Sequence, residues 1–204
     1  MRDQIKTVAT ELLITKGVRG LRFADIADRL AITRANIHYH FGTKDKLVEE
    51  VIDGYVEATL ILFAEIWQAP TLSFREKVQR MMAFNRERYR RYNPSGKSGR
   101  PWSLITRMRL EVDQVSDQAR QTLAHFTRTI EGYIDGAVRS ALKTGELLPE
   151  APANDIAIQL IAIVDSAGSI TQDSGSFDRL ERLYTAYLQI IYHAYGSGPE
   201  VANR

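Results

Sequence analysis

Apolar side chains recur three and four residues apart along almost the whole of this chain, and no stretch alternates them with polar ones. A spacing near 3.6 places a stripe along one face of a helix, whereas a half-buried strand needs a period of two. Ile5, Val8, Ala9, Leu12 and Leu13 open the pattern, and Gly17 suits its C-terminal stop. Phe23, Ile26, Ala27 and Leu30 make a short second helix. Thr33 is placed to cap a third, ending near Phe41-Gly42, and Thr43 a fourth running through Leu47, Val51, Tyr55, Leu62 and Ile66 to Pro70. Ser73 and Glu76 form a capping box ahead of Val78, Met81, Met82 and Tyr89. Past the turn-rich loop 93–101, Trp102, Ile105, Met108 and Val112 outline another helix. Ser116 caps a long one through Phe126 and Ile134 to Gly145. Residues 156–170 and 177–195 complete the set, and 196–204 reads as a frayed, disordered tail. The fold class is all-α, with about nine helices.

Composition narrows what such a bundle can do. The 204 residues include no cysteine, which excludes a disulfide framework, a thiolate metal site and a cysteine nucleophile. No run of 18 uncharged apolar residues exists, so no membrane span is expected. The N-terminal segment is amphipathic and carries Asp3 and Glu11, unlike a signal peptide, so the expected location is cytoplasmic. Charge is uneven: residues 1–47 hold nine basic and five acidic side chains, although the whole chain is only +2. A basic front on a near-neutral body points to a polyanionic partner.

The stretch TRANIHYHFGTKDKL, Thr33 to Leu47, concentrates that chemistry. At about 100° per residue, Ile37 and Phe41 form the buried edge of the third helix. Ala35, Asn36 and Tyr39 face away, with His38 and His40 on opposite flanks. A His-x-His pair on a helix points two ways and cannot grip one ion, so no metal is expected. A small residue, a carboxamide and a phenol free of acids can approach a base edge, Asn36 pairing with adenine. Arg22, Arg34, His38, His40 and Lys44 can reach phosphate oxygens, and Thr43-Lys44 begins a helix whose amides favour an anion. Two short helices joined tightly, the second polar outside, describe a helix-turn-helix.

The segment Phe23 to Leu47 resembles the tetracycline-repressor (TetR) family of bacterial transcription factors. Ile26-Ala27, Thr33, His40-Phe41, Thr43-Lys44-Asp45 and Leu47 match its pattern without gaps over about residues 5–50. Three positions depart from it: Ala31 replaces the turn glycine, His38 replaces a tyrosine, and Arg22 stands where Ser or Thr often caps the second helix. The resemblance implies a DNA-binding domain over 1–47 and a helical ligand-binding and dimerisation domain over 48–195. It also implies a homodimer through the last two helices, a double-stranded operator and a small-molecule effector. The implied DNA-binding residues are Arg22, Thr33, Arg34, Ala35, Asn36, His38, Tyr39, His40, Thr43 and Lys44. The fourth helix, spanning both parts, is the implied lever.

In the body, Asn85 and Arg109 interrupt apolar stripes, and a buried polar group needs a partner. With the resemblance, Met81, Met82, Asn85, Trp102, Arg109, Phe126 and Tyr133 are the candidate ligand-binding residues. Arg109 would suit an acidic effector; Asp165, within the apolar run, is the alternative partner that would make one unnecessary. The basic run 75–109, with eleven basic and two acidic residues, reads as a solvated face. Gly132 and Gly136 read as a close helix contact, and SGKSGR and Ser140-Ala-Leu-Lys143 as a loop and a helix end rather than nucleotide or acyl-transfer motifs. His125 and His193 stand alone, so no enzyme and no cofactor is expected. The function expected is a repressor released from a pseudo-palindromic operator by an effector. The other reading kept open is a regulator with no small-molecule ligand, controlled by a protein partner.

Overall fold

The structure, a computed structural model, describes residues 1–197. These form nine α-helices: α1 (Arg2–Gly20), α2 (Phe23–Leu30), α3 (Arg34–Phe41), α4 (Lys44–Trp67), α5 (Phe74–Tyr92), α6 (Leu104–Leu110), α7 (Asp117–Lys143), α8 (Ala153–Ser174) and α9 (Asp178–Tyr195). The all-α expectation holds among the described residues. The expected caps are in place: Thr33, Thr43, Ser73 and Ser116 each accept a backbone N–H of the first turn, and Ser73–Glu76 closes a full capping box. Each satisfies an orphan donor, worth about 1 kcal/mol.

Ile5, Ala9, Leu12 and Leu13 of α1 meet Ile26, Ile37, Phe41, Leu47 and Val51 in one buried layer, which fixes α2 and α3 against α1 and the start of α4. Farther along, the buried face of α4 runs through Val56, Thr59, Phe63 and Trp67, and Leu62, expected on the stripe, is exposed. The body packs α4 against α7, α7 against α8 and α8 against α9, with α6 inserted between α1, α4 and α8. Trp102 precedes α6 instead of starting it: Ser103 caps the helix, and the Trp102 indole donates to Thr171 Oγ1 at 2.7 Å.

Two breaks in the helices position the front of the molecule. Gly17 does stop the first helical run, but as a kink (φ 73°, ψ −178°), after which the chain coils on to Gly20. Ala31 closes α2 in the left-handed region (φ 52°, ψ 43°). It is the non-glycine residue with positive φ among those described. Left-handed backbone costs an L residue about 1 kcal/mol or more, which glycine avoids. Ala31→Gly is therefore expected to raise stability by about 1 kcal/mol in urea unfolding, with the turn unchanged.

Other expectations need correction. Nothing lies within 4 Å of a side chain built at Gly132 or Gly136, so neither is a close helix contact within the protomer. Gly196 pairs with Leu147 in an antiparallel bridge, and Ser197 donates to the carbonyl of Glu146 at 3.3 Å, so the expected tail does not begin at 196. The rest of it, 198–204, lies outside the described residues. The basic run is not merely solvated. Arg86 pairs with Glu181, Arg91 with Glu11, Arg107 with Glu111 and Arg109 with Asp165, and Arg75 stacks on Tyr192. α8 meets the length and hydropathy of a membrane span, but it carries Asp155, Asp165 and Asp173 and packs on α6, α7 and α9.

Candidate functional site

The outer surface of α3 begins at its cap. Thr33 Oγ1 accepts the Asn36 amide at 3.2 Å, so the first turn is fixed with Arg34 and Ala35 exposed. Tyr39 is 85% exposed, an unusual state for an aromatic side chain on a rigid helix. Arg34 makes no ion pair among the described residues, and nor does Lys44 at the first position of α4. Thr43 caps that helix through the Lys46 amide at 3.1 Å. An exposed phenol is thus flanked by two uncommitted cations and a helix start, a pattern suited to phosphate oxygens around a central contact.

Four of the expected residues are more constrained than their spacing implies. The carboxamide oxygen of Asn36 is buried and meets no donor, so the side chain is not fully presented outward. His38 packs edge-on against Phe23, and its Nδ1 lies 2.9 Å from the Gly42 carbonyl. A carbonyl only accepts, so Nδ1 carries the proton, and a neutral His38 leaves Nε2 as an acceptor that repels a phosphate. His40 is half-buried, edge-on to both Tyr39 and Phe41. Arg22 reaches back to Asp25 at 2.9 Å, and Lys16 holds the same carboxylate at 2.8 Å. Those bonds, Lys16 first and Arg22 second, keep the Asp25 carboxyl below its ordinary range. Spacing gives no sign of Arg2, which lies over the Phe41 ring at 4.4 Å, donates to the His40 carbonyl and pairs with Glu50. It fastens the end of α3 to α1 and α4 across 38 to 48 residues of sequence.

In the body, a narrow cavity of about 50 Å³ lies between α4, α5, α6, α7 and α8. Of the candidate residues, Asn85, Trp102, Arg109 and Phe126 line it, and so does Asp165. Met81, Met82 and Tyr133 do not. Met81 is fully buried in the core about one turn before Asn85, and Tyr133 lies about 10 Å along α7 from Phe126 at 1.5 Å per residue. Asn85 Nδ2 donates to Tyr184 Oη at 3.0 Å. Arg109 is neutralised by Asp165 at 3.0 Å and donates to Thr127 at 2.7 Å, so it calls for no acidic ligand. The sequence reading missed Tyr55, Phe63, Phe84, Arg88, Thr106 and Gly168, which are among the other residues that line it. Tyr55, Thr59, Phe84 and Arg88 also line a larger cleft, about 420 Å³, whose far wall is Thr7, Thr10 and Glu11 of α1.

Besides α4, the head is joined to the body through Glu111 and through the Arg91–Glu11 pair, and α4 is itself tied to α7 through Glu49. The Glu111 carboxylate, just past α6, accepts the Val18 amide at 2.7 Å beyond the Gly17 kink, while Arg107 holds its other oxygen at 2.7 Å. Glu49 on α4 accepts from the Ser116 hydroxyl that caps α7, at 2.7 Å.

Comparison with known proteins agrees with this geometry. Residues 5–51 match the model of the bacterial regulatory proteins of the tetR family. An HTH-type transcriptional regulator in the dhlA 5′ region of Xanthobacter autotrophicus is 25% identical over 176 residues, 83% of this chain and 78% of that one. The HTH-type transcriptional repressor KstR2 of Rhodococcus jostii is 28% identical over 65 residues, and the match spans 32% of each protein. The fold of a TetR-family regulator from Agrobacterium tumefaciens superposes with a TM-score of 0.81 at 18% identity, covering 93% of this chain and 96% of that one. Residues 5–51 thus carry the helix-turn-helix of the tetR family of bacterial regulatory proteins, and the chain has the fold of a solved TetR-family regulator over nearly its whole length.

Proposed function

We propose that this regulator is a cytoplasmic repressor that sits as a two-fold dimer on a pseudo-palindromic operator and leaves it when a small molecule binds the body. Residues 1–47 are the reading head, and 48–195 the ligand-binding and dimerisation body. The observation that carries the DNA half of this reading is the outer face of α3, with Tyr39 at 85% exposure between Arg34 and Lys44. In a dimer, two such helices enter successive major grooves about 34 Å apart. Tyr39 and Ala35 meet base edges. Arg34, Lys44 and the helix starts capped by Thr33 and Thr43 take the phosphates. Asn36 reads a base only after its buried oxygen turns out, and His38 aids a phosphate only when protonated. Arg22 shares its guanidinium between Asp25 and the backbone of the duplex.

The dimer forms through α8 and α9, where Ile158 and Ile190 remain 60% and 65% exposed on otherwise packed helices. Exposed apolar side chains on two adjacent helices suit a four-helix contact about a two-fold axis. Effector control is supported by the cavity and its wiring. Ile105, Thr106 and Arg109 of α6 line it, and Glu111, just beyond, holds the Val18 amide of α1. A ligand that shifts α6 thereby moves the reading head, alongside any movement of α4 through Tyr55 and Thr59. This wiring favours a small-molecule effector over control by a protein partner alone.

Fragments selected from random DNA by the purified protein give the operator. On it, Lys44→Ala is expected to weaken all sequences alike and to flatten the salt dependence by about one phosphate contact. Tyr39→Ala should instead lose about 1–2 kcal/mol at one base position in titrations of single-base operator variants. A Lys44→Ala protein with an unchanged salt slope would place the docking surface elsewhere.

A further inference from the structure

Arg88 is an unusual cation of the body, set between two aromatic rings without an ion-pair partner among the described residues. It projects from α5 into the wall shared by the inner cavity and the larger cleft, lining both. Its guanidinium carbon lies 4.8 Å from the Tyr55 ring centre and 5.4 Å from that of Phe84. Aromatic faces attract a cation but accept no conventional hydrogen bond, so they leave the guanidinium's N–H groups to solvent or to a ligand. Among the described residues no carboxylate lies within ion-pairing distance and no hydrogen bond is made, in contrast to Arg86, Arg91, Arg107 and Arg109 nearby. Burial also disfavours its charged form, the largest influence on its titration.

The acids around it are accounted for. Asp165 is taken by Arg109, Glu11 is shared by Arg29 and Arg91, and Glu87 is exposed and forms no ion pair with Arg88. The inner lining is therefore left with one uncompensated positive charge among side chains that are otherwise neutral or, in Arg109 and Asp165, paired with each other. The cleft beside it, about 420 Å³, offers Ala58, Leu62 and Phe84 as apolar wall. A half-buried cation with no internal partner is unfavourable by itself and becomes favourable once an anion completes it.

We infer that the effector is an amphiphile with an anionic head and an apolar body, whose head is gripped by Arg88 while its body lies in the cleft between α1, α4 and α5. The inference rests on the reading of the chain as an effector-controlled regulator. It adds the ligand's chemistry, and it places the ligand against Thr7 and Thr10 of the reading head as well as against the body. A molecule seated there wedges α1 from α5 beside the Glu11–Arg91 pair.

Calorimetric titration of the full chain tests this with octanoate and octyl phosphate, against octanamide and octylamine. At least one anion is expected to bind, with the amide and amine at least about 30-fold weaker, as loss of a charge-assisted contact implies. Which of the two anions is preferred tells a carboxylate from a phosphate ester. Arg88→Met should reduce the anion to the affinity of the amide, and Arg88→Lys should restore part of the preference. Binding of neither anion, equal binding of the amide or amine, or an unchanged anion affinity in Arg88→Met overturns the assignment. If a neutral compound instead releases the protein from its operator, effector control stands and this inference fails. If the protein binds no duplex, the regulator reading fails, and the titration still judges Arg88.

Discussion

Gly17→Ala is expected to destabilise the protein by about 3–4 kcal/mol, because it combines a backbone penalty with the loss of a charge-assisted hydrogen bond. At φ 73° and ψ −178°, Gly17 occupies a region that is almost closed to residues with a Cβ. A methyl group there would lie 2.1 Å from Glu111 Oε1 and 2.6 Å from an Arg107 nitrogen. Both atoms end flexible side chains and can retreat, so the steric overlap alone is relieved cheaply. The retreat, however, takes the carboxylate from the Val18 amide just beyond the kink. Urea unfolding of Gly17→Ala beside Glu111→Gln separates the two contributions. Glu111→Gln keeps the backbone and loses only charge, so its deficit should be less than half as large. A Gly17→Ala protein within about 0.5 kcal/mol of wild type, the range of ordinary surface changes, would mean that the kink is dispensable. The same substitution should lower operator affinity, because α2 packs on α1 and α3 packs on α2.

That outcome bears on how much a sequence reveals. Helix caps were legible because each is a local event: Thr33, Thr43, Ser73 with Glu76, and Ser116 bond to amides three residues away. The buried edge of α3 was legible for the same reason, since Ile37 and Phe41 follow helical periodicity. What failed was whatever depends on which helix lies opposite. A helical wheel turns Asn36 outward but does not know that packing around the head buries its oxygen. The basic run looked like a solvated face because Glu11, Asp165 and Glu181 are far away in sequence and on other helices, whereas Glu111 lies only four residues past Arg107. Arg88 was lost in that run, and only three dimensions distinguish it from its paired neighbours. Met81 and Tyr133 share a stripe with true cavity residues, but a stripe continues along a helix and a cavity does not. Gly17 was legible as a stop, and its role as a socket for Glu111 was not.

Ile190→Glu is expected to turn the dimer into a monomer and to reduce operator affinity at least about 100-fold, because both half-sites must be held by one particle for the second contact to be intramolecular. Ile190 is 65% exposed in the protomer, and Leu183, seven residues earlier on the same face of α9, is 37% exposed. Ile158 on the adjoining α8 is 60% exposed, so the apolar surface spans both helices. A carboxylate costs little there in a monomer, where water reaches it, and circular dichroism should show the helices intact. In a two-fold contact the same carboxylate is buried without a partner near its own symmetry mate, a penalty of several kcal/mol. Sedimentation of the variant should therefore give one protomer where wild type gives two, and Ile158→Glu should behave alike. Affinity for an isolated half-site should stay near that of wild type, because α3 is untouched. A variant that still sediments as a dimer would move the interface away from α8 and α9. A monomeric variant that still bound the full operator at wild-type strength would overturn the two-fold mode of reading while leaving the reading head in place.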